Sequence, residues 1–321
     1  MTDTLSEFGL IARYFRPLAT HEGALALSDD ACVLPQTAGR DLIVTADALT
    51  AGVHFLADDP PETIAAKALC VNLSDLAAKG AIPVGYLLAL VLPQTIGEDW
   101  IAAFARGLGE VQKAYGVSLL GGDTTATPGP LTIAITALGR VPAGMMIRRS
   151  GAKPGDHVFV SGTIGDAGAG LRLRRGEAGE LSARDADFLM ERYRRPVPRL
   201  GLGQSLLGVA SAALDVSDGL IADLGHIAET SGVRIVVEAE AIPRSAALKS
   251  YDPDGVLRAV TAGDDYEIAF TTADSGDATP AWAQSDVPVT RIGRVEAGQG
   301  VILVDGEGRE IPVARAGFTH F

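Results

Sequence analysis

Acidic side chains mark most of the positions where this chain could do chemistry. In residues 45–75, Asp47 ends the strand-like run DLIVTADAL, His54 follows a glycine-containing turn, and Asp75 sits inside a helical pattern. Strand ends commonly carry site residues. At about 100° per residue, Ile64, Ala65, Ala68, Leu69, Val71 and Leu76 share one broad apolar arc, and Asn72 and Asp75 fall within it. The spacing therefore predicts that Asp75 points where water is scarce. A carboxylate there must be protonated, paired with Lys67 or Lys79, or bound to a cation.

Other polar groups recur at turns and strand ends. Asp29 and Asp30 form a doublet where one acid suffices for a turn or cap, and Gly121, Gly122 and Asp123 close an apolar run. The two glycines would let backbone N–H groups approach a ligand, or would make a hairpin turn. Asp215, Ser217 and Asp218 stand where a strand-like run meets a helical one. One of them is enough for an N-cap, so the expectation is a helix N-terminus facing an anion or its metal. Asp264, Asp265 and Glu267 precede another strand, and Arg148 and Arg149 are either surface charges or phosphate contacts. Carboxylates in such numbers can hold divalent cations that in turn face phosphate.

These residues need elements to position them, and the pattern supplies alternating helices and strands. A short helix is predicted over 5–15. A longer helix is bounded by Asp59 as N-cap, a proline and Glu62 in its first turn, and Gly80 past its end. A buried strand over 83–92, an amphipathic helix over 98–115 and the strands VSLLGGDTT and LTIAITALGRV follow, then a connection over 142–154. In the second half, HVFVSGTIGDAGAGL runs from a strand into a glycine-rich turn, but Gly162, Gly165 and Gly168 lack the G-x-G-x-x-G spacing. The Walker pattern is missing too, so a nucleotide would be bound by other means. Helices are expected over 183–194 and 199–210, and short strands near the end. The fold class is α/β (α+β) in two domains, 1–141 and 142–321.

Composition excludes several classes. With 47% hydrophobic and 21% charged residues, the 321-residue chain suits a globular protein with two cores. A net charge of −13 argues against nucleic-acid and anionic-membrane binding. Cys32 and Cys70, the only cysteines, are too few for a disulfide framework. No targeting or membrane-spanning run is visible in the sequence, and a cytoplasmic location is expected.

The ordered set SDD at 28–30, TADAL at 45–49, AGVHFL at 51–56, KALCVNLSDLAAKGA at 67–81, GGDTT at 121–125, RSGAKPGD at 149–156, LDVSDGL at 214–220 and GDDYE at 263–267 resembles the thiamine-monophosphate kinases. These belong to a superfamily that includes the aminoimidazole ribonucleotide and selenophosphate synthetases. The resemblance implies an N-terminal domain that dimerises through its sheet, a C-terminal α/β domain and an active site in the cleft between them. It implies transfer of the γ-phosphoryl of ATP directly onto thiamine monophosphate. Asp30, Thr45, Asp47, Asp75, Asp123, Asp215 and Asp218 would bind several Mg2+ ions, with K+ as a further candidate. Gly122, Asp123, Arg149 and Ser217 would contact ATP, and His54, Asp264 and Phe318 the acceptor. The expected assembly is a homodimer.

The chemistry agrees with those residues. Donor and acceptor are both phosphates, so their repulsion must be screened. A phosphate oxygen is already ionised and needs no general base, and no nucleophilic Ser, Cys or His arrangement is visible. Three positions depart from the family pattern: Ser28 and Ala46 stand where Gly and Thr are usual, and Asp264 where Glu is usual. The alternatives are another ATP-dependent enzyme of the superfamily or a non-catalytic nucleotide- or metal-binding relative. A Cys and Lys pair of the selenophosphate synthetase kind is missing near the start, and the acids a retired enzyme would lose are retained.

Overall fold

The structure, a computed structural model, describes residues 7–177, 181–273 and 282–319. The chain divides into two compact units, Met1–Leu76 with Ile82–Gly144, and Ala77–Ala81 with Met145–Phe321.

The first unit opens with a one-turn helix α1 (Glu7–Leu10), which continues as a wider turn over Ile11–Phe15 and a tighter one over Arg16–Leu18. The short helix predicted there is thus irregular, and its residues 5 and 6 lie outside the described residues. Then come β1 (Arg40–Thr50), α2 (Pro61–Ala78), β2 (Ile82–Pro93), α3 (Glu98–Tyr115), β3 (Ser118–Thr127) and β4 (Thr132–Pro142). The sheet order is β1-β4-β2-β3. β4 is antiparallel to both neighbours, and β3 runs parallel to β2, with α3 in the crossover between them.

The hairpin reading of Gly121–Asp123 does not hold. β3 continues through the glycines to Thr127, paired with β2. A Cβ on Gly122 would lie 1.8 Å from the Leu88 carbonyl oxygen, so glycine there permits close strand pairing.

α2 also departs from expectation. It starts at Pro61, which puts Pro60 rather than Asp59 at the N-cap position; the Asp59 carboxylate accepts the Leu56 N–H at 3.0 Å. Nor is one arc of the helix apolar and the other wet. Every residue from Thr63 to Ser74 is buried, including Lys67 and Asn72, and Asp75 is the one half-buried position before Leu76–Ala78 are buried again. A helix enclosed on all sides has no solvated stripe for periodicity to detect. Asp75 therefore lies where this helix meets water.

Side chains alternate across the sheet. Thr45, Asp47 and Leu49 share a face with buried Ala137, Ile135 and Ile133. The opposite face presents Leu42 and Val44, 50% and 56% exposed, followed by exposed Ala46 and Ala48.

The second unit contains β5 (His157–Ser161), α4 (Asp166–Arg174), α5 (Ala183–Arg194), α6 (Leu200–Ser205), β6 (Ala212–Asp215), α7 (Leu220–Ser231), β7 (Arg234–Glu238), α8 (Ala246–Tyr251), α9 (Val256–Thr261), β8 (Ile268–Thr272), β9 (Val289–Glu296), β10 (Gly300–Val304) and β11 (Glu310–Ile311). α6 is shorter than the helix predicted over 199–210. The strands form a seven-stranded mixed sheet, β11-β10-β7-β9-β5-β8-β6. Val158, Leu214, Leu224, Ile235 and Ile292 lie in its main apolar core, which the helices α7 and α9 help to close. Among the described residues, no helix is long and apolar enough to cross a membrane.

Candidate active site

In the first unit the Thr45 hydroxyl donates to Asp75 Oδ2 at 2.5 Å, joining β1 to α2. One turn back on α2, fully buried Asn72 accepts the Asp47 N–H at 3.1 Å and donates to the Ala68 carbonyl at 3.0 Å. Asn72 thus ties the backbone of one candidate ligand to the helix that carries another. Asp75 is partnered by Thr45 rather than by a lysine; Lys79 Nζ donates to the Ala213 carbonyl at 2.8 Å. The ion-pair alternative for Asp75 falls away.

His54 lies just past β1, where the Thr50 N–H donates to its Nδ1 at 3.0 Å. That bond makes Nδ1 the acceptor and puts the proton of the neutral ring on Nε2. Gly122 and Asp123 are exposed on β3, three strands from β1, about 14 Å at usual strand spacing. By register Asp123 lies on the face of Ala89, Ala134 and Ala48, opposite that of Asp47. Asp30 is exposed, its N–H bonded to the Asp29 carboxylate at 2.8 Å, and no hydrogen bond joins it to Thr45 or Asp75. The structure thus joins Thr45, Asp47 and Asp75 around α2 through hydrogen bonds, while Asp123 lies on the other face of the sheet.

In the second unit buried Asp215 ends β6 and half-buried Ser217 and Asp218 follow on the turn into α7. Ser217 O accepts the Asp264 N–H at 2.8 Å, and Asp218 O accepts the Phe318 N–H at 2.9 Å. A Cβ on Gly263 would lie 2.4 Å from Ser217 O, and one on Gly317 2.4 Å from Asp218 O, so glycines allow both chain segments to close on this turn. Four predicted residues, Ser217, Asp218, Asp264 and Phe318, are thereby brought onto one piece of backbone beside Asp215. Arg149 is exposed on the connecting segment next to Arg148, whose carbonyl accepts the Ala213 N–H at 2.9 Å.

The amides of the turn that leads into α7 have an internal acceptor: the N–H groups of Ser217, Asp218 and Gly219 all donate to Asp223 Oδ2, at 3.0, 3.0 and 3.1 Å. Asp223 is a residue the sequence reading missed. Its signal was an acid in the first turn of a helix, able to reach back to its own N-terminus. Burial, and next the Asp218 carboxylate, push Asp223 up to about 7, against the three amides that favour its charge.

Asp265 and Glu267 serve the fold. Asp265 accepts the Gly165 N–H at 2.6 Å and the Ala167 N–H at 3.3 Å, so the glycine-rich turn before α4 already holds a carboxylate. Glu267 accepts from Ser161 at 2.5 Å, from Arg192 Nη2 at 2.8 Å and from Arg199 Nε at 2.7 Å.

The three departures from the family pattern have local explanations. Ser28 adopts φ −110°, which any residue can take, and its hydroxyl donates to the Leu25 carbonyl at 2.6 Å. Ala46 is on the sheet face opposite the Thr45–Asp75 pair. Asp264 has φ +72°, a region that Asp tolerates better than most side chains.

Among the described residues no three Asp, Glu, His or Cys side chains group closely enough to form a metal site by themselves. The candidate donors are hard oxygens: carboxylates and a hydroxyl. That set suits Mg2+, which is usually held by one or two carboxylates and completes its coordination with water and substrate phosphates.

Residues 28–141 match the model of the AIR synthase related protein N-terminal domain, and residues 153–306 that of the C-terminal domain. The chain is 44% identical to the thiamine-monophosphate kinase of Caulobacter vibrioides, covering 98% of this chain and 91% of that protein. Against the thiamine-monophosphate kinase of Escherichia coli K12 the identity is 40%, covering 98% of each. The crystal structure of thiamine-monophosphate kinase from Stenotrophomonas maltophilia K279a superposes with a TM-score of 0.84 at 44% identity, covering 96% of this chain and 98% of that one. AaThiL complexed with AMPPCP and TMP gives 0.80 at 32% identity, covering 99% and 97%.

Proposed function

The chain belongs to the thiamine-monophosphate kinases of the AIR synthase related family, and we propose that it transfers the γ-phosphoryl group of ATP onto the phosphate of thiamine monophosphate, giving thiamine diphosphate and ADP. The observation that carries this reading is the full-length likeness to a relative whose structure holds AMPPCP and TMP, together with the retained acids.

Asp30, Thr45, Asp47, Asp75, Asp123, Asp215 and Asp218 would hold Mg2+, and K+ remains a candidate further ion. Bound with the nucleotide, Mg2+ supplies charge neutralisation between two phosphates that otherwise repel. Gly122, Asp123, Arg149 and Ser217 would contact ATP. His54, Asp264 and Phe318 would contact the acceptor; His54, with Nδ1 engaged by Thr50, has Nε2–H as its donor. An acceptor phosphate oxygen attacks phosphorus, the bond to the ADP oxygen breaks, and no protein base is required. The amides before α7 are satisfied internally, so this turn offers a hydroxyl and carboxylates.

Of these residues Asp30, Thr45, Asp47, Asp75, Gly122 and Asp123 belong to the first domain, 1–141, to which we also assign dimerisation through the uncovered sheet face bearing Leu42 and Val44, while Arg149, Asp215, Ser217 and Asp218 belong to the second, 142–321. Apolar side chains exposed in a row on a sheet favour burial against a second copy. A monomer mass by sedimentation at micromolar concentration would overturn the dimer.

The test of function is ADP formation with ATP and Mg2+, comparing thiamine monophosphate, free thiamine and aminoimidazole precursor as acceptors. Turnover with thiamine monophosphate alone, abolished by chelator, is expected. ATP binding without turnover on any acceptor would instead favour the non-catalytic relative.

A further inference from the structure

We propose that Asp223 is the positioning residue of the second unit's cluster, holding Ser217 and Asp218 by their amides and, through that same turn, setting Asp264 and Phe318. The inference rests on the phosphotransferase reading above. The turn has two sets of backbone groups with two destinations. Its three N–H groups end on one oxygen of Asp223, while the carbonyls of Ser217 and Asp218 accept the amides of Asp264 and Phe318. Asp223 is 3% exposed, within the first turn of α7, and its own N–H bonds Gly219 O at 2.9 Å, so the clamp is closed from both ends.

Three donors converging on one carboxylate oxygen fix peptide planes that a bare turn would leave free. Gly219, with φ +123°, supplies the backbone conformation that lets the third amide point inward. Without Asp223 the buried Gly219 amide and the half-buried amides of Ser217 and Asp218 lose their shared acceptor and the turn must reorganise. The carbonyls move with the amides because each peptide unit is planar. Residues proposed for the nucleotide and for the acceptor then lose their places together, while Asp223 itself is buried.

The experiment compares wild type with Asp223→Ala and Asp223→Asn in steady-state turnover, varying ATP and thiamine monophosphate separately, with thermal unfolding in parallel. Asp223→Ala should raise both KM values about tenfold or more, the equivalent of one lost charge-assisted hydrogen bond. Asp223→Asn keeps an oxygen for the amides but loses the charge, and should fall between wild type and Ala for both substrates. If Asp223→Ala does not fold, the Asn variant alone carries the test. A rise in only one KM, or a lowered melting temperature with both KM values and kcat unchanged in Asp223→Asn, overturns the proposal. A wild type inactive on thiamine monophosphate overturns the functional reading instead, so the two failures are distinguishable.

Discussion

At the scale of single residues, the site is a matter of which carboxylates are held and by what. Asp75 is half-buried, bonded to the Thr45 hydroxyl, and paired with no lysine. Replacing it with Asn preserves shape and a hydrogen-bond acceptor while removing the charge. Asp75→Asn should therefore keep the circular dichroism and melting temperature of wild type yet lose roughly 10²–10³ in kcat, as when one electrostatic contributor to a transition state is removed. Normal turnover in that variant would mean Asp75 holds no metal. The residue-scale reading of the sequence singled out acids surplus to local need, such as Asp47 and Asp218, and the structure places Asp47 beside Asn72 and Asp218 on the turn before α7. It gave no role to an acid that satisfies the backbone from a distance: Asp265 caps a turn about a hundred residues earlier in the chain, which spacing cannot reveal. Asp223 was missed because an acid in a first helical turn is ordinary in sequence, and its three bonds exist only once the turn has folded.

Among the elements, α2 and the glycine-rich entry to α4 show what patterning does and does not convey. The end of α2 before Gly80, and the whole of α3, were legible because caps and periodicity are local signals. The burial of α2 on all sides was not, since packing from several directions turns an amphipathic-looking arc into a uniformly buried helix. The run through Gly121 and Gly122 looked like the end of a strand, because local propensity carries no record of the neighbour, Leu88, that the glycine admits. At α4, Asp166 is fully buried and accepts from the Thr163 hydroxyl at 2.5 Å and the Ser245 hydroxyl at 2.6 Å. Burial nonetheless holds its carboxyl above the usual range. The folded state thus binds this proton more tightly than the unfolded state. Its contribution to stability is fully present below the ordinary carboxylate range and is lost as pH rises through the raised folded value. Asp166→Asn should accordingly flatten the decline in urea midpoint between mildly acidic and neutral pH. An unchanged or steeper decline in the variant would contradict that assignment.

For the whole molecule, the sequence conveyed two α/β units and the order of many of their elements, but not β7, α8 and α9 between residues 234 and 261. Strand order in the sheets stayed out of reach, because β4 inserts between β1 and β2 and β9 between β5 and β7, arrangements decided by tertiary pairing. The exposed face of the four-stranded sheet has a consequence at this scale. If a second copy covers it, Val44→Asp should place a charge in that interface and shift sedimentation toward the monomer, while the fold of each chain is retained. A wild-type mass in the variant would remove this face from the assembly.

The central claim is that the terminal phosphoryl group of ATP ends on the phosphate of thiamine monophosphate. It is tested most directly by supplying γ-labelled ATP and Mg2+ with thiamine monophosphate and locating the label. The account predicts label in the terminal phosphate of thiamine diphosphate, one for each ADP formed. Label appearing as inorganic phosphate, with thiamine monophosphate unchanged, would contradict it.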